Sequence, residues 1–179
     1  GEGHAVTNDQ FRHIAEVFLA ATADSGGLRQ IGIIGLSTAQ VRERLEIGLE
    51  LGGRDFQISL PSWGTCTDTE VDRFFDDVVG AFPQARFLHY NNARCGRRLG
   101  AADYRRLAQH HANLVATKSG GHTAANLLDL AATSTGLCHF LVELDFAAAC
   151  CLGLDCGLLI SISSLNPTRC LDFFTAGRN

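Results

Sequence analysis

Lys118 is the only lysine in a chain of 179 residues whose other side-chain cations, histidine aside, are all arginines. It closes the apolar run Leu114-Val-Ala-Thr117, and Tyr90 closes a similar run, Arg86-Phe-Leu-His89, 28 residues upstream. An amine at the end of an apolar run is poorly hydrated, so its pKa falls and more of it is the free base that attacks carbonyls to give a Schiff base. An iminium on C2 of a 2-oxo acid is an electron sink that lets the adjacent carbon–carbon bond form or break, and a tyrosine hydroxyl can shuttle the protons. The plain alternative is a lysine that stretches to solvent from the rim of the fold.

Such a pair needs strands that end at one place. Gln30-Ile-Gly-Ile-Ile34, 55–60, 86–90, 114–118, 138–143 and 157–163 read as strands. Between them lie helical patterns. Phe11, Ile14, Ala15, Phe18 and Leu19 form an amphipathic stripe behind a Thr7/Gln10 capping box, and Ser37 opens a helix carrying Val41, Leu45 and Leu49. Further helices are predicted over Val71–Phe82, Ala101–His110, Ala124–Ala131 and Phe146–Leu152, with a last one starting near Pro167. One strand plus one helix every 19 to 31 residues is a β/α repeat, which implies a parallel sheet. A doubly wound sheet and a (β/α)8 barrel share that rhythm, but Gly32-Ile-Ile-Gly35 does not supply the G-x-G-x-x-G of a dinucleotide fold, so the barrel is preferred. A complete barrel has roughly 250 residues. Six strands, with Gly1–Val6 as the possible tail of another, give a single α/β domain over 1–179: a TIM barrel incomplete at the N-terminus, lacking its first strand and part of its second. In such folds the functional groups sit at the carboxyl ends of strands, where Tyr90 and Lys118 would face one cavity.

Composition excludes several functions. A net charge of −4, with Arg97-Arg98 and Arg105-Arg106 as the only basic doublets, argues against nucleic acid; such doublets are expected to be solvated surface. The seven cysteines form no C-x-x-C pair and read as reduced, buried thiols. The seven histidines show no metal-ligand spacing, and the rings of His110 and His111 are expected to diverge at a helix end, so no metal is predicted. No export leader or run of eighteen apolar residues is seen, which predicts a cytoplasmic protein with no membrane partner. A pyridoxal-phosphate enzyme would want a Gly/Ser-rich phosphate cup; none is found, and no cofactor is expected.

Tyr90-Asn91, Arg94-x-Gly96, Leu99 and Asn113-Leu-Val-Ala-Thr-Lys118 together resemble the core of the dihydrodipicolinate synthase and N-acetylneuraminate lyase family. Gly1-Glu2 with Ala5-Val-Thr7 is similar to its Gly-Glu-x-x-x-Leu-Thr after strand two. Leu60-Pro-Ser-Trp63 occupies its Pro-Tyr-Tyr position, and Gly157-Leu-Leu-Ile-Ser161 with Asn166-Pro167 resembles its strand eight. The resemblance implies a (β/α)8 barrel and a class I lyase or aldolase that forms a Schiff base between Lys118 and pyruvate or another 2-oxo acid. It makes Tyr90 the acid/base and carboxylate-binding hydroxyl, Arg94 the cation for a distal substrate carboxylate, Trp63 a substrate wall and Ile160 a backbone contact. It also implies a homo-oligomer, a dimer or tetramer.

Departures bear on substrate. The family's paired threonines would precede Gly1. Trp63 replaces a tyrosine of dihydrodipicolinate synthase and resembles the hydratase-aldolase branch, whose substrates are aromatic pyruvate adducts. Placing Arg94 requires a one-residue deletion after Tyr90, and Ser119 stands where many members carry glutamate or threonine. A sugar-acid dehydratase on the same iminium and a catalytically silent barrel that binds a small acid stay open beside the aldolase. Trp63 could equally be a core aromatic; His139 reads as a satisfied core histidine; His89 should point away from Tyr90, toward the helices; Glu143 and Asp145 end a strand as a polar pair or cap the surface.

Overall fold

The computed structural model describes residues 3–133 and 136–178. Six strands alternate with seven α-helices in chain order: α1 (Asn8–Ala21), β1 (Gln30–Ile33), α2 (Thr38–Glu50), β2 (Asp55–Ile58), α3 (Asp68–Phe75), β3 (Arg86–Asn91), α4 (Ala101–His110), β4 (Leu114–Ser119), α5 (Ala124–Ala132), β5 (Cys138–Leu141), α6 (Glu143–Cys151), β6 (Gly157–Leu158) and α7 (Pro167–Arg178). Every neighbouring pair of strands is parallel, and the sheet order is β1-β2-β3-β4-β5-β6. A doubly wound sheet reverses its strand order at a switch point. The unbroken order is that of a barrel wall, open between β1 and β6 among the described residues.

Helix starts follow the hydrogen-bonding logic read from the sequence. Thr7 accepts from the Gln10 N–H while the Gln10 side chain accepts from the Thr7 N–H, and Ser37 accepts from Gln40 N at the head of α2. The α1 stripe buries Phe11, Ala15 and Leu19 but leaves Ile14 more than half exposed, so the buried face is narrower than its periodicity suggested. Ile31, Ile33, Phe56, Ile58 and Phe87 project to the helix side and meet Val41, Leu45, Val71, Phe74 and Phe75 in the main core. A second cluster joins Leu127, Leu141, Phe146, Ala149 and Cys156.

Close packing of α2 on β2 depends on Gly48. A β-carbon there would lie 2.6 Å from Phe56 Cε1, and Phe56 is fully buried. Gly48→Ala gains helix propensity of up to about 1 kcal/mol but forces Phe56 off its rotamer at roughly 1–3 kcal/mol. A net loss of stability is expected, read as a lower denaturant midpoint.

Several predicted boundaries move. Gly3–Ala5 form a 3-10 turn rather than a strand tail; Gly1 and Glu2 lie outside the described residues. The fifth strand ends at Leu141, and Glu143 and Asp145 belong to the first turn of α6, where carboxylates favour the positive helix end. β6 is two residues long, and Ile162–Ser164 form a 3-10 segment rather than its continuation. The stripe from Val71 to Phe82 divides into α3 and a π-helical stretch, Asp76–Gly80. The arginine doublets are not merely solvated: Arg97 pairs with Asp68, Arg106 with Asp72 and Asp103, and Arg105 donates to Thr133. All seven cysteines are free, yet only Cys95 and Cys156 are buried; Cys138 opens onto the inner face of the sheet and Cys151 lies at a helix end.

Candidate active site at the carboxyl ends of β3 and β4

Lys118 reaches the inner face of the sheet by way of an irregularity. Phe87 pairs with Leu114 and Leu88 with Ala116, so β4 carries one extra residue, Val115, at this point. A bulge of one residue exchanges the faces that follow it. Leu114 joins Phe87 in the helix-side core, whereas Ala116 and Lys118 line up with Leu88 and Tyr90 on the inner face. Plain alternation from Leu114 would have sent the lysine toward the helices.

Tyr90 and Lys118 are direct partners in the β3–β4 register, and the Lys118 Nζ lies 4.6 Å from the centroid of the Tyr90 ring. Lys118 forms no ion pair among the described residues, and burial lowers its pKa from the ordinary lysine value of 10.5. An amine with no carboxylate to hold its proton, beside a phenol, can act as a nucleophile with a proton-transfer partner at hand. Phe140 on β5 pairs with Lys118 from the other side, and Gly157 on β6 pairs with Phe140.

Behind this layer the alternate residues form a polar seam on the helix side. His89 Nδ1 lies 2.9 Å from the Tyr104 hydroxyl, Thr117 Oγ1 lies 2.7 Å from His139 Nδ1, and Ser119 Oγ lies 2.7 Å from His122 Nε2. Both core histidines thus sit where their alternation placed them. Burial holds each of them neutral, pushing His89 down to about 3. Asn91 fixes the loop after β3 by exchanging two hydrogen bonds with the Leu99 backbone, and Arg98 donates to the Gly120 carbonyl, tying that loop to the one after β4. Asp145, buried, accepts from the His122 N–H.

The remaining candidates are placed less tightly. Trp63 stands in the loop after β2 with 90% of its surface exposed, so it is not a core aromatic. Arg94 lies in the 3-10 turn Ala93–Cys95 after β3, exposed, with its N–H donating to Asn92 Oδ1. Ile160, the expected backbone contact, follows β6, and its carbonyl already accepts from Ser163 Oγ at 3.0 Å. All three follow carboxyl ends of strands, at the end of the sheet where Lys118 stands within β4, but none makes a hydrogen bond or ring contact with it. Phe140, the neighbour of Lys118, and Gly157, the next residue across, were missed. Phe140 stood inside an undifferentiated apolar run, and only counting register outward from Lys118 would have found it.

No protein-family model and no curated protein matches the chain. Solved structures do. A dihydrodipicolinate synthase superposes with a TM-score of 0.87 at 14% identity, covering 99% of this chain and 61% of that one. PhdJ bound to substrate intermediate gives 0.86 at 25% identity, covering 99% and 57%. YagE, a prophage protein of E. coli K12 belonging to the dihydrodipicolinic acid synthase family, solved in complex with pyruvate, gives 0.82 at 17%, covering 99% and 63%. The chain spans about 60% of the length of these structures. In fold, then, this chain is an incomplete (β/α)8 barrel of the dihydrodipicolinate synthase type.

Proposed function

We propose that this chain carries the reactive centre of a Schiff-base lyase that acts on pyruvate or another 2-oxo acid. The Lys118 amine adds to C2 and water leaves; the iminium withdraws electrons from the adjacent bond; that bond forms or breaks; and hydrolysis returns the amine. Tyr90 supplies and accepts the protons. The observation that carries this reading is the in-register pair: an unpaired, partly desolvated amine beside a phenol on neighbouring strands. The likeness to a barrel solved with pyruvate supports the choice of donor. Arg94 offers an exposed cation for a distal carboxylate and Trp63 an exposed aromatic surface for the second substrate. Ile160 would contact substrate through its backbone, and assembly into a dimer or tetramer belongs to the same proposal.

The test uses the single lysine. Incubation with pyruvate and borohydride should leave a reduced pyruvate adduct on the peptide containing Lys118 and on no other. An adduct confined to the chain's amino terminus, or none, would reject the Schiff-base reading.

A further inference from the structure

The inner face of the sheet places Tyr90, Lys118, Phe140 and Gly157 side by side on four consecutive strands. The lysine leans one way, its Nζ over the Tyr90 ring at 4.6 Å. Phe140 leans the other way: a β-carbon built on Gly157 would stand 2.5 Å from both Cδ1 and Cε1 of the Phe140 ring, so the ring lies across the glycine. Adjacent strands are about 4.8 Å apart, so the two side chains splay away from each other and leave a slot above the β4–β5 pair. Ala116 lies one inner-face step below Lys118 and adds little bulk to the floor. Gly157 is what allows the ring to lie down, because only a residue without a β-carbon leaves that surface free.

We infer that Phe140, seated on Gly157, is the specificity-determining wall of the Lys118 slot, admitting linear 2-oxo acids and excluding those branched at C3. The substrate part of this inference rests on the Schiff-base reading; the wall itself does not. An apolar ring beside the amine offers no hydrogen bond to a substituent and yields no space while Gly157 holds it flat, so a second methyl on C3 meets carbon on the side where a linear chain passes. Discrimination of this kind, by size against an apolar wall, spans about 10–200-fold per methylene.

Two measurements on the 179-residue chain test the wall, both read on the Lys118 peptide. The first is acylation of Lys118 by acetic anhydride against a bulky succinimidyl ester, which needs no pyruvate chemistry. Phe140→Ala is expected to raise the bulky-to-small rate ratio by about tenfold. Gly157→Ala should evict the ring toward Lys118 and slow both reagents several-fold, and the double variant should restore the rates. Loosening of the fold in Gly157→Ala would expose Lys118 and speed labelling, the opposite sign, and loosening in Phe140→Ala would not be reversed by the second substitution. The second is borohydride trapping with pyruvate against 3-methyl-2-oxobutanoate, where Phe140→Ala should shift the ratio toward the branched acid by a similar factor. Acylation ratios unchanged in Phe140→Ala would overturn the wall. Acylation that responds as expected while the wild type traps no donor would instead overturn the Schiff-base reading, and with it the assignment of substrate, while sustaining the wall.

Discussion

Replacing Lys118 with methionine is expected to abolish the pyruvate adduct, to lower any lyase turnover by about 10⁴-fold, and to leave the fold at least as stable as it was. The two halves have one cause. Burial disfavours the ammonium, so the pKa of Lys118 in the folded chain lies below the ordinary 10.5 it regains on unfolding. Between those two values the unfolded chain binds more protons, so stability rises with pH across that window. Below the window both states are protonated and the folded state carries the full cost of the desolvated charge. Methionine fills similar space without that charge and removes the slope. Urea midpoints of wild type and Lys118→Met at neutral pH and at about pH 10 check the second half; a large loss of stability in the variant would mean the lysine holds the fold rather than serves it. The rate of borohydride trapping in the wild type should climb with pH to a midpoint below 10.5, since only the free amine attacks.

The strands were legible because strands buried in a parallel sheet read as short apolar runs between helical stripes, and Tyr90 and Lys118 were legible because each ends such a run. The sheet order confirms the barrel that the spacing and the missing glycine motif had suggested. What the sequence could not show was which face each residue takes. That depends on Val115, an apolar residue indistinguishable in the sequence from its neighbours, which adds the one residue that turns Lys118 inward. Phe140 was lost for the same reason: its importance comes from register with Lys118 and from a glycine seventeen positions later. Helix ends were misjudged where carboxylates decide them. Glu143 and Asp145 read as the end of a strand, yet their charges suit the first turn of α6, and Asp145 turns in to meet the His122 N–H. Arginine pairs looked like solvated surface because their partners, Asp68 and Asp72, lie about thirty residues away on α3 and meet them only in the folded chain.

Arg44→Met is expected to cost about 3–5 kcal/mol of stability, more than any other single side-chain change away from the hydrophobic core. In the sequence Arg44 lies between Val41 and Leu45 and suggests nothing unusual. In the structure it is fully buried. Its Nε donates to Asn8 Oδ1 at 3.1 Å, Nη1 to the Gly3 and Ile34 carbonyls at 2.6 and 2.8 Å, and Nη2 to the Val6 carbonyl at 2.5 Å. The guanidinium also lies 5.4 Å from the centre of the Phe11 ring. No carboxylate forms an ion pair with it among the described residues, and of the carboxylates only Glu43 favours its charge, from a distance; backbone carbonyls do most of the work of a counter-ion. Removing it strands those carbonyls without donors, each at about 1–3 kcal/mol when buried. Arg44→Lys should recover little, because one ammonium on a flexible stem cannot span the acceptors that a planar fork reaches at once. The loss should be local before it is global. Arg44 joins the turn at Gly3–Ala5 to Ile34, the residue after β1 at the same end of the sheet as Lys118. Hydrogen exchange in Arg44→Lys is therefore expected to rise first at Val6 and along the start of α1, with protection across β3 and β4 kept, and uniform loss of protection over the whole sheet would show that the clamp supports the core rather than this one end of it.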